Sequence, residues 1–209
     1  MGWRSVVISN AAVLKRQHNS LAIVQTETAF VPFEDIAVLV LDHREITITH
    51  AVLVACSSHG IVLFATGDNH QPCGIFNSFL THTRTAKLLQ QQLSISKPLK
   101  KRIWAAIVRQ KILNQATCLK LLGCSGTSRL ESYARRVRSG DSTRLEGQAA
   151  WFYFSHLFGS NFKRGTDDWI NSALNYGYAI LRGAITRGLV AHGFHPTLGV
   201  FHSSERNAF

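Results

Sequence analysis

Near residue 82 the apolar residues of this chain change period, and that change fixes the kind of fold open to it. Before it, 6–9, 21–24, 36–41 and 61–64 are β-branched or aliphatic runs of strand length, divided by turn-forming residues. His50 to Ser58 is a compact apolar segment that reads as one short helix ended at Gly60, and Thr66 to Pro72 reads as a loop. After it, apolar residues recur at helical spacing. The expectation is an α+β chain: a small β-rich N-terminal domain, 1–81, followed by an all-α C-terminal domain, 82–209.

Three helices are predicted in the second part. Ser96 and Pro98 start the first, whose stripe is Ile103, Ile107, Val108, Ile112, Ala116, Leu119 and Leu122, and Gly123 closes it. Thr143-Arg144-Leu145-Glu146 opens the second, with Ala150, Tyr153, Phe154 and Leu157 following. The third starts at Thr166-Asp167-Asp168, whose acids suit a positive helix N-terminus, and runs to Gly193. On it Ala173, Gly177, Ala184, Gly188 and Ala191 lie nearly in line, interrupted by Ile180, so it is expected at the centre of the second domain, with another backbone close against it. Asn175, Arg182 and Arg187 argue against a membrane span there.

Charge is divided as sharply as period. Residues 1–95 hold six cations and six acids, which cancel, so 96–209, with 17 cations against 6 acids, carry the whole net charge of +11. A surplus placed in one half is the footprint of a polyanion-binding surface. Arg102, Arg109, Lys111 and Lys120 fall off the first helical stripe, and with Arg135, Arg136, Arg138 and Arg182 they are candidates for phosphate contact, against the plainer reading of a solvated cationic face. The neutral first half is expected to meet protein rather than DNA, or to serve only as scaffold.

The opening Met1-Gly2-Trp3-Arg4 leads into a strand rather than a signal-peptide core, which points to the cytoplasm. Cys56, Cys73, Cys118 and Cys124 show no CxxC pairing and read as packing thiols. His192 and His195 stand three apart, but no second pair has zinc-ligand spacing.

Two places could carry chemistry. Glu146 heads the stripe of the second predicted helix and is expected to point inward. A buried carboxylate needs a partner, and no Lys or Arg stands three or four residues away on that helix, which leaves a metal ion or a distant side chain. The alternative is a capping box, Thr143-x-x-Glu146, in which the glutamate only satisfies the helix start. The second place is Gly193 to His202, which leaves a long helix, turns at Pro196 and Gly199, and presents His202 after an apolar pair, as a metal ligand, a general base or an ordinary loop histidine.

Several motifs together resemble one family. They are Trp3 to Asn10, Trp104 to Gln115, Glu146-Gly147-Gln148-Ala149-Ala150, Asn175-Tyr176-Gly177-Tyr178-Ala179-Ile180-Leu181-Arg182, Gly193-Phe194-His195-Pro196, and His202 with Asn207-Ala208-Phe209. The likeness, which runs from Met1 to Phe209, is to the CRISPR-associated integrases of spacer acquisition in type II systems, the Cas1 family, with subtype II-C favoured. It implies an N-terminal dimerisation domain and a helical catalytic domain that holds Mg²⁺ or Mn²⁺ through a glutamate, a histidine and a later acid. Glu146 takes the glutamate position and His202 the histidine position. Phe201 stands where relatives often have a first histidine of a pair, and the third acid belongs to a segment beyond Phe209, so the resemblance implies a metal site cut short.

The activity implied is metal-dependent DNA endonuclease and integrase chemistry in antiviral defence, in which a DNA 3′-hydroxyl attacks a phosphodiester at the CRISPR repeat. Implied partners are double-stranded DNA, a second copy of the chain, a small ferredoxin-like adaptation protein and the RNA-guided effector nuclease. The alternatives are a truncated, DNA-binding but inactive protein and a structure-specific DNA nuclease.

Overall fold

The computed structural model of the protein describes residues 4–68, 70, 72–78 and 84–201. Strands fill the first part of the chain and helices the second, so the α+β expectation holds. The strands form two sheets. One has the order β1 (Arg4–Ile8), β5 (Ile36–Leu41), β7 (Val62–Thr66), β8 (Pro72–Phe76), with the first three parallel and β8 antiparallel to β7. The other has the order β4 (Thr28–Pro32), β3 (Ser20–Val24), β2 (Ala12–Gln17), β6 (Ile46–Ile48), antiparallel except for the parallel β2–β6 pair. Leu14, Leu21, Phe33, Ile36, Leu39 and Ile61 are completely buried in a core that also takes in Val52 and Cys56 of helix α1 (His50–Ser58). Burial pushes the Cys56 thiol up to about 11, so it packs as a neutral side chain.

The helices are α2 (Thr85–Leu93), α3 (Lys97–Leu121), α4 (Thr127–Arg136), α5 (Leu145–Phe158) and α6 (Trp169–Ala191). Helix α4 is absent from the sequence reading, although Leu130, Tyr133 and Ala134 carry its buried face at helical spacing. The buried face of α3 is Ala105, Val108, Ile112, Ala116 and Leu119. Ile107 and Leu122 of the expected stripe are exposed instead; Ile107 stands one position before Val108, about 100° round the helix from the buried line. Leu145, Ala149 and Phe152 of α5 complete this second core. Among the described residues no helix is long and apolar enough to cross a membrane.

The chain forms two compact units, and their boundary differs from the expected break at residue 81. One unit runs to Gln90 and takes in Asp167–Pro196, while the other holds Gln91–Thr166 with 197–201 of the described residues. Helix α6, expected at the centre of the helical part, packs on the first unit's sheet. The cause lies in β5 and β7, which are apolar on both faces: Leu39 and Leu63 point to the core between the sheets, and Val38, Val40, Val62 and Phe64 point the other way. Parallel strands buried on both sides need a cover, and Tyr176 and Ile180 of α6 provide it. Burial, and then the Asp42 carboxylate, hold the Tyr176 phenol above its ordinary range.

The contact face of α6 is also not the expected small-residue line. Ala173, Ala184, Gly188 and Ala191 are exposed, whereas Ala179, Gly183 and Thr186 are buried. At Gly183 a Cβ would collide with the Phe64 ring, so only glycine fits there. Arg187 Nε donates to the Gly60 carbonyl where α1 ends, tying the far end of α6 to the same unit. Gly183→Ala is therefore expected to lower the unfolding free energy by about 1–3 kcal/mol through overpacking. Gly177→Ala on the same helix, where a Cβ meets nothing within 4 Å, is expected to be neutral or to add up to about 1 kcal/mol. Urea denaturation followed by circular dichroism reads both.

Candidate functional site

Helix α5 carries Glu146 in its first turn, and a residue that sequence reasoning missed holds that turn in place. After α4, a 3₁₀ turn over Ser139–Asp141 brings Asp141 round in the left-handed region, at φ 48°. The side chain is buried, and its carboxylate accepts from two backbone amides, Leu145 N at 2.8 Å and Glu146 N at 3.0 Å. An anion satisfying two free N–H groups at the positive end of a helix is a strong cap. No Thr143–Glu146 capping box forms: Arg144 occupies the cap position without a side-chain bond, and the Thr143 carbonyl accepts from Gln148 Nε2 at 3.0 Å. The turn signal Ser139-Gly140-Asp141 lies in the sequence, but nothing local shows that Asp141 folds back beneath a helix four residues on.

With the helix start already capped, Glu146 turns elsewhere. Its Oε1 accepts from Lys111 Nζ of α3 at 2.7 Å. The expected inward direction is corrected: the buried line of α5 runs through Leu145, Ala149 and Phe152, and Glu146 sits beside it with 31% of its side chain exposed. The partner is thus the distant side chain of the two possibilities left open by spacing. An ion pair this open to solvent contributes at most about 1 kcal/mol, so an incoming ligand can displace the ammonium at little cost.

His202, the second candidate, lies outside the described residues. The chain leading to it is anchored on the same unit. Phe201 stacks on Trp104 of α3, with ring centroids 5.6 Å apart and planes 8° from parallel, and Gln92 Nε2 donates to the Leu198 carbonyl at 3.0 Å. Lys111, which holds Glu146, is seven residues beyond Trp104, two turns or about 10 Å along the helix.

The cationic candidates divide by what they touch. Arg109 caps the end of α4, donating from Nε to Ala134 O at 3.4 Å and from Nη2 to Val137 O at 3.2 Å. Arg136 lies over the Tyr133 ring, 5.1 Å from its centroid, and Lys111 is taken up by Glu146. Arg102 lines a groove of about 620 Å³ with Lys97, Pro98, Lys101 and Ser139. Arg135 and Arg138 are exposed. Arg182 is exposed on α6, in the other unit. The regrouping preserves the division of charge: 91–166 hold 14 cations and 3 acids, 14 − 3 = +11, while 1–90 and 167–196 together hold 8 of each.

A divalent cation of the hard class asks for several oxygen ligands. Glu146 fits as one of them, being solvent-accessible and free of capping duty. Among the described residues no group of three His, Cys, Asp or Glu side chains stands ready to enclose an ion.

The chain matches the family profile described as CRISPR associated protein Cas1 over residues 5–209. It is 45% identical, over 211 aligned residues, to a CRISPR-associated endonuclease Cas1 of Neisseria meningitidis serogroup C (strain 8013), a match that covers all of this chain and 69% of that protein. Its fold is similar to that of a casposase bound to integration product, with a TM-score of 0.73, 14% identity, and coverage of 97% of this chain and 65% of that one. It is similar as well to a chain of a Cas6-RT-Cas1–Cas2 complex, with a TM-score of 0.67, 21% identity, and coverage of 97% and 25%. Asp141→Ala is expected to cost about 1–3 kcal/mol of stability, because two buried amides lose their acceptor. Thr143→Ala and Lys111→Met should each cost less than about 1 kcal/mol. Chemical denaturation of the three variants checks that ranking.

Proposed function

The chain belongs to the Cas1 family of CRISPR-associated proteins, and on that premise we propose that it is a DNA endonuclease and integrase that inserts new spacers at a CRISPR repeat. The observation that carries this reading is the Glu146 carboxylate, relieved of capping by Asp141 and held at the rim of a helical unit with a charge of +11. His202 is proposed as its companion from the family resemblance, and the stacking of Phe201, the residue before it, on Trp104 of the helix whose Lys111 holds Glu146 supports that reading.

In the proposed reaction the 3′-hydroxyl oxygen of a DNA fragment forms a bond to phosphorus in the target strand. The existing P–O3′ bond breaks, the attacking hydroxyl gives up its proton, and the leaving 3′-oxygen gains one. Mg²⁺ or Mn²⁺, held by Glu146 and His202, is the cofactor we propose; when bound it would supply positive charge beside the phosphate oxygens. The chain's own residues do the rest. Lys111 keeps the glutamate oriented in the absence of substrate, and the exposed cations Arg102, Arg135 and Arg138 hold the duplex by its phosphates, which fixes register without reading sequence. The proposed partners are double-stranded DNA, a second copy of the chain, a small Cas2-type protein and the RNA-guided effector nuclease.

The test is an assay that joins a duplex fragment with free 3′-hydroxyls into a repeat-bearing plasmid. Wild-type protein is expected to join, and Glu146→Ala to lower the joining rate roughly a hundredfold or more while still binding DNA. Cutting without joining would support a structure-specific nuclease, and retention of DNA with neither activity a binding module. Replacing Arg135 or Arg138 with alanine should weaken duplex binding and flatten the slope of log affinity against log salt by about one for each phosphate no longer neutralised.

A further inference from the structure

The contact between Lys111 and Glu146 is placed by the packing of two helices. Seven residues on from each partner, two turns along either helix, Tyr153 Oη of α5 donates to Cys118 Sγ of α3 at 3.2 Å. Two contacts at equal steps mean that α3 and α5 run side by side in the same direction, and the buried Val108, Ile112 and Ala149 lock that register. Lys111 Nζ is thus carried to Glu146 Oε1, 2.7 Å away, with 48% of the lysine side chain and 31% of the glutamate side chain exposed. The stretch 91–166 that holds them has 14 cations against 3 acids. Asp141 is one of those acids and is committed to backbone amides, whereas Glu146 is open to solvent with a cation already on it.

We propose that Lys111 is a built-in competitor for the divalent cation, holding the Glu146 carboxylate until the ion displaces it. The inference rests on the DNA-joining reading for the identity of that cation; the competition itself rests on the ion pair. A divalent ion about 2.1 Å from either carboxylate oxygen stands within a few ångströms of an ammonium that stays on Oε1, and its double charge repels the lysine about as strongly as the carboxylate attracts it. Occupancy is therefore exclusive, and the lysine leaves as the ion enters. The metal affinity of Glu146 is lowered by what the ion pair holds, which for a pair this open to solvent is about twofold to fivefold. The device sets a threshold. Below a certain concentration of divalent ion the carboxylate carries its own lysine, and above it the ammonium is released to solvent. The general field of the +11 unit acts on a cation from a distance and is screened by salt, whereas Lys111 acts by contact at one oxygen.

The experiment measures the affinity of the full chain for Mn²⁺ from the electron paramagnetic resonance signal of the free ion, without DNA. Lys111→Met is expected to bind Mn²⁺ about twofold to fivefold more tightly than wild type. Lys111→Arg should bind it as wild type does or more weakly, since a guanidinium keeps the competing charge and can hold both carboxylate oxygens. Lys100→Met removes the same charge from α3 about 16 Å along the helix and should change nothing. The gain in Lys111→Met should shrink as KCl is raised, because screening weakens the ion pair it removes. Acetic anhydride labelling read by mass spectrometry follows the lysine directly: Lys111 should react slowly without metal and faster with Mn²⁺, and at one rate with or without the ion in Glu146→Gln. Circular dichroism of each variant excludes misfolding. The proposal is overturned if Lys111→Met binds Mn²⁺ no more tightly than wild type, or if Mn²⁺ leaves the labelling of Lys111 unaltered. Either result, with binding still abolished by Glu146→Gln, sinks this inference alone. Binding that Glu146→Gln leaves intact, or none by wild type and Lys111→Met alike, removes Glu146 as a metal ligand and sinks the DNA-joining reading with it.

Discussion

A buried aspartate beneath the first turn of helix α5 decides what the glutamate after it is able to do. The free amides at a helix start need acceptors, and the nearest candidates in sequence were Thr143 and Glu146 themselves. Asp141 takes that duty by placing both carboxylate oxygens on Leu145 N and Glu146 N. Glu146 then reaches outward to Lys111 across a contact that costs little to break. Without the left-handed turn at Gly140 and Asp141 the same glutamate would serve the backbone, and the helical unit would present no available carboxylate there.

Much of this was legible in the sequence, and the failures have identifiable causes. The strand-to-helix change and the start of α3 near Ser96 come from local period and composition, which a single chain displays directly. The capping of α5 depends on a turn geometry set by two left-handed residues, of which Asp141 is not a glycine. The place of α6 could not be read from its small residues, because the decisive contact is made by one glycine against Phe64, far away in sequence. A clue was present in the unbroken apolar runs of β5 and β7, since strands that alternate need one cover and strands that do not need two. His202 stays an expectation from resemblance, now with a neighbour, Phe201, docked on Trp104.

The division of charge holds for the folded units as it does along the chain. Helix α6 and the loops at its ends contribute two acids and two arginines, and removing them from the helical side leaves the surplus entirely in 91–166. A field concentrated on one unit draws a polyanion to that unit and leaves the other electrically silent. That arrangement suits a protein in which one part grips nucleic acid while the other is free to meet partners of its own.

Because α6 returns to the sheet it covers, neither unit is a single stretch of polypeptide. The chain passes from one to the other after Gln90, after Thr166 and after Pro196. A gene fragment ending at residue 90 would leave Val38, Val40, Val62 and Phe64 without their lid, and a fragment beginning at 91 would carry α6 with nothing to cover. Dissection of this protein into independently expressed halves therefore calls for supplying the lid helix in trans or for circular permutation, and limited proteolysis at any one crossing should leave the fragments associated.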